Sequence, residues 1–310
     1  MKRKKVSIIG AGNVGSAAAL WIASKHLADV VLVDIVVPHA KGKALDLQEA
    51  LPIAGVDASI TGTGDYRLTK DSDIVVITAG MPRKEGMSRD DLVKVNADII
   101  KSATKEVAKY SPKCILIIVS NPLDAMVHVA ARVSKFPKQR VMGMAGTLDS
   151  ARFRAFLAEK LDVSVQDVTA FVMGGHGDTM IPVLRYANVA GIPVEDWLPK
   201  KELEKIVART RNGGGEFLPL LKTSAWVAPG IAIAEMAEAI LLDKRRVLPV
   251  AAYLDGEYGQ KGLFIGVPVV LGKNGVEKVI EVKMNAAEKK AFRKTAEQVR
   301  NVVKVADRFI

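Results

Sequence analysis

The fold class is predicted from one stretch near the start of the chain, Lys5-Val-Ser-Ile-Ile-Gly10-Ala-Gly12-Asn-Val-Gly15. Its apolar run is typical of a buried strand, its glycines have the spacing GxGxxG, and a helical pattern follows over residues 13–28. In such a turn the first glycine permits a sharp bend, the second lets a pyrophosphate approach the backbone, and the third lets the helix pack on the strand. The glycine spacing alone is weak evidence, but with this context on both sides it predicts a dinucleotide-binding unit with the pyrophosphate at the helix N-terminus.

An acidic residue ends the second apolar run, Val30-Val-Leu-Val-Asp34, and lies 19 residues beyond Gly15. A carboxylate at this distance from the glycines accepts hydrogen bonds from the ribose 2′-hydroxyl of a dinucleotide and repels a 2′-phosphate. Asp34 therefore favours NAD over NADP as the cofactor.

The first half of the chain alternates apolar runs with helical patterns. Further runs begin at Ala58, Asp73, Cys114 and Arg140, and helical segments cover residues 89–110 and 122–134. The runs are continuous rather than alternating, as expected for parallel strands that are buried on both faces. We therefore predict an α/β fold, a Rossmann-type doubly wound parallel sheet, for a dinucleotide-binding domain over residues 1–146.

The pattern changes after residue 146. Residues 147–310 are predicted to form an α+β substrate domain packed directly on the first, with helices over 147–161, 200–211 and 225–244, strands over 169–174 and 181–186, and a β-rich stretch over 247–282. Asn285-Ala-Ala-Glu288 resembles a capping box for a closing helix. The apolar face of that helix consists of Phe292, Ala296, Val299, Val303 and Ala306.

Composition limits the classes of partner. The chain has 310 residues, a net charge of +11 and 25% charged residues, so wholesale disorder is excluded. Because Cys114 is the single cysteine, neither an internal disulfide nor a cysteine-based zinc site can form, and we predict no metal. Basic residues are dispersed, aromatics amount to 5%, and the longest apolar stretch carries Glu235 and Glu238. We expect no nucleic acid and no membrane as partners, a cytoplasmic location, and a small anionic substrate that suits the positive charge.

One of the four histidines is a candidate proton carrier. His26 and His128 fall within predicted helices, and His39 follows Pro38 in a predicted loop. His176 instead lies within Gly174-Gly-His-Gly-Asp178, where glycines allow a ligand to approach the backbone. Imidazole suits proton transfer from an alcohol near neutral pH, although a loop histidine by itself is more often structural.

Two charged stretches allow both a structural and a functional interpretation. Asp149 and Arg152 share one helix face, either as a surface ion pair or as an orienting carboxylate and a bidentate grip on a substrate carboxylate. The segment 80–89 follows the fourth predicted strand and carries Arg83 and Arg89. It is either a solvated loop or a lid that closes over an anionic substrate at the carboxyl ends of the strands.

Together these stretches resemble the lactate/malate dehydrogenase family. The resemblance extends from the first strand to the final helix and rests on Gly10–Gly15, Asp34, Ile77-TAGMPRKEGMSR, Val119-SNPLD, Gly146-TLDSAR and Gly174-GHGDTM. It implies that His176 is the proton acceptor and donor, with Asp149 as its partner. It further implies that Arg152 binds the α-carboxylate of the substrate, that Arg89 polarises the reacting carbonyl, and that Asn121 holds the substrate and the nicotinamide ribose. The implied cofactor-binding positions are Gly10, Gly12, Asn13, Val14, Gly15, Asp34, Asn96, Val119 and Asn121.

The resemblance also implies the substrate. Lactate enzymes of the family carry Gln at the lid position that Arg83 occupies here, and malate enzymes carry Arg; Ala225 replaces a Thr that is usual in lactate enzymes. Enclosing the second carboxylate of oxaloacetate unpaired would be costly, and a guanidinium on the lid removes that cost. We therefore expect reversible oxidation of (S)-malate by NAD in a homodimer or homotetramer. The alternatives are an L-lactate dehydrogenase and a non-catalytic NAD-binding protein.

Overall fold

The computed structural model describes residues 3–82 and 88–310. The strands are β1 (Lys5–Ile9), β2 (Asp29–Val33), β3 (Ile60–Thr63), β4 (Ile74–Ile77), β5 (Ile115–Ile118), β6 (Val141–Gly143), β7 (Val168–Thr169), β8 (Val172–Met173), β9 (Ile181–Pro182), β10 (Asn188–Val189), β11 (Ile192–Pro193), β12 (Arg246–Asp255), β13 (Lys261–Gly272) and β14 (Gly275–Val279). The helices are α1 (Asn13–Ser24), α2 (Val37–Ile53), α3 (Arg89–Tyr110), α4 (Leu123–Ser134), α5 (Gly146–Leu161), α6 (Val194–Trp197), α7 (Lys200–Asn212), α8 (Leu218–Leu221), α9 (Val227–Leu241) and α10 (Ala286–Ala306).

A large sheet organises the described part of the chain, with nine strands in the order β14-β13-β12-β6-β5-β4-β1-β2-β3. The six strands from β1 to β6 pair in parallel, as predicted from their continuous apolar runs. Strand β1 lies between β2 and β4, since Ile8 is opposite both Leu32 and Val76. The strand order therefore reverses beside β1, and ligands of such sheets bind outside the carboxyl ends of the strands at this point. The predicted doubly wound α/β class is confirmed.

The second half of the chain extends the same sheet. Strand β12 pairs antiparallel with β6, Ala251 opposite Gly143, and β13 and β14 continue outward as antiparallel neighbours. An isolated bridge joins Gly174 to Gly266 of β13, so the loop that carries His176 is fastened to this extension. The division into domains at residue 146 stays a prediction.

Sequence patterns and capping residues predicted the bounds of several helices correctly. Helix α3 covers the predicted residues 89–110, and Ser88 caps it, because its hydroxyl accepts the Asp91 N–H and the Asp91 carboxylate accepts the Ser88 N–H. The predicted capping box at Asn285 and Glu288 is present at the start of α10. The whole predicted apolar face of α10 is buried.

Four local predictions were wrong. In place of the single strand predicted over 169–174, two short strands, β7 and β8, belong to different sheets. His39 lies in α2 rather than in a loop, because Pro38 occupies the first turn, where a helix needs no N–H. His26 lies beyond the end of α1, at φ 55°. Of the strand predicted over 181–186, only Ile181–Pro182 pairs, because its partner β8 is equally short. Within the described ranges, no helix is both long and apolar enough to cross a membrane.

Candidate functional site

The loops that follow β1, β4 and β5 meet at the carboxyl edge of the sheet. The Thr78 hydroxyl donates to the Gly10 carbonyl over 3.0 Å, and the Ser120 hydroxyl donates to the Ala79 carbonyl over 2.5 Å. These bonds join the glycine turn to the start of the predicted lid loop and to the segment that carries Asn121. The loops that carry the predicted residues Gly10 and Asn121 therefore lie side by side at this edge.

The glycine turn has the geometry that its spacing predicts. Gly10 has φ +110°, which favours glycine, and a Cβ there would lie 2.6 Å from the Thr78 hydroxyl. A Cβ on Gly15 would overlap the Gly10 carbonyl, so α1 packs too closely for any side chain. A Cβ on Gly12 would meet no described atom within 4 Å, and this leaves room for a ligand against the backbone.

The residues around the turn fit a dinucleotide. Helix α1 begins at Asn13, followed by Val14, and no side chain of the described residues caps it, so its first N–H groups can bind a pyrophosphate. Oδ2 of Asp34 accepts the Ala11 N–H over 2.8 Å, and Oδ1 accepts the Val36 N–H over 2.9 Å. Each oxygen keeps a lone pair for a ribose hydroxyl. The carboxylate is thus held rigidly beside the turn.

His176 and Asp149 form a hydrogen-bonded pair. Nδ1 of His176 lies 2.8 Å from Oδ2 of Asp149, whose side chain is 2% exposed. The other carboxylate oxygen, Oδ1, accepts from Nη1 of Arg152 over 3.2 Å. Asp149 is therefore a buried carboxylate between the imidazole of His176 and the guanidinium of Arg152, which fits the functional interpretation of this helix face better than that of a surface ion pair.

Neighbouring contacts explain how α5 and the His176 loop come together. The Thr147 hydroxyl donates to the Pro249 carbonyl of β12 over 2.9 Å, which fixes the first turn of α5. The Ser150 hydroxyl accepts the Val172 N–H of β8 over 2.9 Å, and β8 leads directly into the loop of His176. The helix that carries Asp149 and the strand that precedes His176 are thus bonded to each other.

The surroundings of His176 favour its protonated form. Burial by itself would lower the pKa of the imidazole, and the positive charge of Arg152 acts in the same direction. The charge and hydrogen bond of Asp149, with the charge of Asp124, outweigh both, so the pKa of His176 lies above its usual 6.5. The imidazole can therefore exchange a proton near neutral pH.

Asn96 connects two of the loops. Its side chain, 1% exposed, accepts the Met81 N–H over 2.7 Å and donates to the carbonyls of Met81 (3.1 Å) and Asn121 (2.6 Å). Val119 donates its N–H to the Ile77 carbonyl over 3.0 Å at the end of β5. The Asn96 amide thus fixes Met81, near the start of the predicted lid segment, to the main chain at Asn121. That Asn96, Val119 and Asn121 contact the cofactor stays a prediction.

The two lid arginines are only partly covered by the structure. Arg83 lies outside the described residues, and Arg89 is the first residue of α3. Their expected contacts with the two ends of the substrate stay predictions. Within residues 3–82 and 88–310, no group of three or more His, Cys, Asp or Glu side chains could hold a metal ion.

Sequence reasoning missed two residues that hold the His176 loop. Oδ2 of Asp124 accepts the His176 N–H over 3.1 Å, and the Thr295 hydroxyl accepts the Gly175 N–H over 3.0 Å. Asp124 had a local signal, since it lies three residues after Asn121 in a stretch that carries the family resemblance. Thr295 had none, because it lies on α10, far along the chain.

Comparisons with known proteins agree over the whole chain. The family model for the lactate/malate dehydrogenase NAD binding domain matches residues 4–143, and that for the lactate/malate dehydrogenase alpha/beta C-terminal domain matches residues 146–310. A malate dehydrogenase of Anoxybacillus flavithermus is 56% identical over 308 residues, which is 98% of this chain and 99% of that protein. The malate dehydrogenase structure from Salinibacter ruber matches with a TM-score of 0.95 at 52% identity, over 98% of both chains. The lactate dehydrogenase structure from Cryptosporidium parvum, complexed with lactic acid and nicotinamide adenine dinucleotide, matches with a TM-score of 0.96 at 39% identity, over 99% of both chains.

Proposed function

The chain belongs to the lactate/malate dehydrogenase family, and we propose that His176 performs the proton transfer in its reaction, the reversible oxidation of (S)-malate by NAD to oxaloacetate and NADH. The chain acts as an NAD-dependent malate dehydrogenase, as do relatives that are 56% identical over their whole length. The single observation that carries the role of His176 is its 2.8 Å contact, from Nδ1, with the buried carboxylate of Asp149.

The contact with Asp149 defines how His176 works. Because a carboxylate accepts, the proton of the neutral imidazole resides on Nδ1, and Nε2 is left to take the C2 hydroxyl proton of malate. Asp149 then stabilises the imidazolium that forms, and in the opposite direction the protonated ring donates to the oxaloacetate carbonyl. The Gly10–Gly15 turn and Asp34 would hold NAD, which would supply the acceptor for the C2 hydride.

Arginines orient the anionic substrate in this proposal. Arg152 uses one guanidinium nitrogen on Asp149 and keeps its remaining N–H groups for the substrate α-carboxylate. Arg89 polarises the carbonyl oxygen, and Arg83 pairs with the second carboxylate, which pyruvate lacks. Asn121 completes the site from the loop after β5.

The test combines two keto acids with one substitution. Initial rates of NADH oxidation are measured with oxaloacetate and with pyruvate, for the wild type and for His176→Asn. We expect a clear preference for oxaloacetate. In His176→Asn, turnover should fall by about 10²-fold or more, and fluorescence titration should show nearly unchanged NADH binding. Wild-type turnover in His176→Asn would overturn the assigned role. A preference for pyruvate would instead favour the second candidate function, lactate oxidation, which the shared fold of the Cryptosporidium parvum enzyme keeps open.

Two further parts of the proposal concern the oligomeric state of the protein and its location in the cell. We infer a homodimer or homotetramer and a cytoplasmic location from the family membership. Light scattering coupled to size-exclusion chromatography measures the assembly, and a monomeric mass would contradict it.

A further inference from the structure

A second buried carboxylate faces the loop of His176. Asp124 lies in the first turn of α4, three residues after Asn121, and is 7% exposed. Its Oδ2 accepts the His176 N–H over 3.1 Å, and a Cβ on Gly175 would lie 3.5 Å from the same oxygen. The carboxyl group therefore packs directly against the main chain of the loop.

Helix capping does not account for this carboxyl group. In the described residues α4 has no side-chain cap, and Oδ1 of Asp124 is buried without a hydrogen-bond partner. A buried carboxylate oxygen without a partner is costly, and such groups concentrate at functional sites. Its place in the first turn of α4, against the main chain of the His176 loop, points to a role in positioning that loop.

We propose that Asp124 is a positioning residue with two effects. Through the His176 N–H it holds the proton-transferring loop against the segment that carries Asn121, and through its charge it adds to the stabilisation of the imidazolium that Asp149 begins. The inference rests on the proposed role of His176.

The electrostatics agree with this geometry. Among residues 3–82 and 88–310, the charged groups that act on His176 are Asp149 and Arg152 from α5 and Asp124 from α4. Burial, with a smaller contribution from the charge of Asp149, raises the pKa of Asp124 to about 7, although the charge and N–H of His176 and the N–H of Asp124 itself act against the rise. The pKa of His176 is also raised, in part by Asp124. The protonation of each group therefore influences that of the other.

A matched neutral contact exists in the same loop. The Thr295 hydroxyl accepts the Gly175 N–H over 3.0 Å and lies 2.7 Å from the Thr179 hydroxyl. Thr295→Val removes this acceptor without changing any charge. It separates loss of loop anchoring from loss of the Asp124 charge.

The experiment compares pH profiles of kcat/KM for oxaloacetate and malate in wild type, Asp124→Asn, Asp124→Glu and Thr295→Val. In Asp124→Asn the amide oxygen can still accept the His176 N–H, but the charge is gone. We expect the alkaline fall in oxaloacetate reduction and the acid fall in malate oxidation both to move to lower pH. At alkaline pH the kcat/KM for oxaloacetate reduction should drop by about threefold, the order expected for the loss of one partly screened charge. The affinity for NADH should not change.

The remaining variants decide between the two effects. Asp124→Glu should restore the wild-type pH midpoint, and Thr295→Val should keep it whatever its rate. A midpoint in Asp124→Asn identical to that of the wild type would overturn the charge role of Asp124. If the wild-type protein itself does not reduce oxaloacetate, the proposed function is overturned instead.

A direct titration covers the case in which Asp124→Asn does not fold. The ring resonance of His176 in the wild-type protein, assigned by its loss in His176→Asn, should titrate in two coupled steps. A single-step titration would contradict the coupling.

Discussion

Replacing Asp149 by Asn tests the centre of the mechanism with almost no change of shape. In the wild type, Oδ2 faces Nδ1 of His176 at 2.8 Å and Oδ1 faces Nη1 of Arg152 at 3.2 Å, so both partners donate. An amide offers one acceptor and one donor. If its oxygen faces Arg152, its NH₂ group stabilises the wrong tautomer of His176, and if its oxygen faces His176, two donors oppose each other.

The size of the effect follows from the distance. An Nδ1–Oδ2 contact of 2.8 Å places the two charge centres about 4 Å apart. At an effective dielectric constant of about 20, the attraction is about 4 kcal/mol, because the carboxylate is buried and the ring is only partly exposed. Since about 1.4 kcal/mol corresponds to a factor of ten, we expect Asp149→Asn to lower kcat/KM for oxaloacetate by up to about 10³-fold at neutral pH.

The assay follows NADH oxidation with oxaloacetate at saturating NADH, together with fluorescence titration of NADH. Asp162→Asn is the matched control, because Asp162 is exposed at the C-terminal end of the same helix, and it should stay within about twofold of the wild type. A fall of less than about tenfold in Asp149→Asn would refute the electrostatic argument. A parallel loss of NADH affinity would show instead that the variant disturbs the whole site.

The remaining predictions concern the cofactor, the lid, the glycine turn and pH. Asp34→Ser should lower the ratio of kcat/KM with NAD to that with NADP by about tenfold or more. The substitution removes both an acceptor for the ribose 2′-hydroxyl and a negative charge that repels a 2′-phosphate, and an unchanged ratio would place Asp34 outside the ribose site. Arg83→Gln should lower the oxaloacetate-to-pyruvate ratio of kcat/KM by about 10²-fold or more, because it leaves an enclosed substrate carboxylate unpaired. Arg89→Gln should slow the reduction of both keto acids by a similar factor. The reverse pattern would mean that the roles of the two arginines are exchanged. Gly15→Ala should lower the free energy of unfolding by about 1–3 kcal/mol in a urea titration and weaken NADH binding, because its Cβ meets the preceding turn; wild-type stability would contradict that overlap. Because the pKa of His176 is raised, the midpoint of the alkaline fall in oxaloacetate reduction should lie above pH 6.5, and a midpoint below 6.5 would contradict the raised pKa.

Much of the fold could be predicted from local sequence. The GxGxxG turn, the strand ending at Asp34, the cap at Asn285 and the buried face of α10 depend on hydrogen bonds and side-chain periodicity within a few residues. Helix α2 was not predicted, because its polar and apolar residues do not separate into clear faces and Pro38 at its start is also typical of a loop.

Local sequence patterns indicated most of the candidate site residues, whereas the contacts between those residues became visible only in the folded chain. Asp149 and His176 lie 27 residues apart, and the local pattern left the carboxylate open to a surface ion pair. Their contact depends on the bond between Ser150 and Val172, which brings α5 against the strand that precedes the His176 loop. The contact of Asp124 with the same loop spans 52 residues and follows from how α4 packs. Such bonds depend on the packing of whole elements, and the spacing of neighbouring residues does not encode that packing.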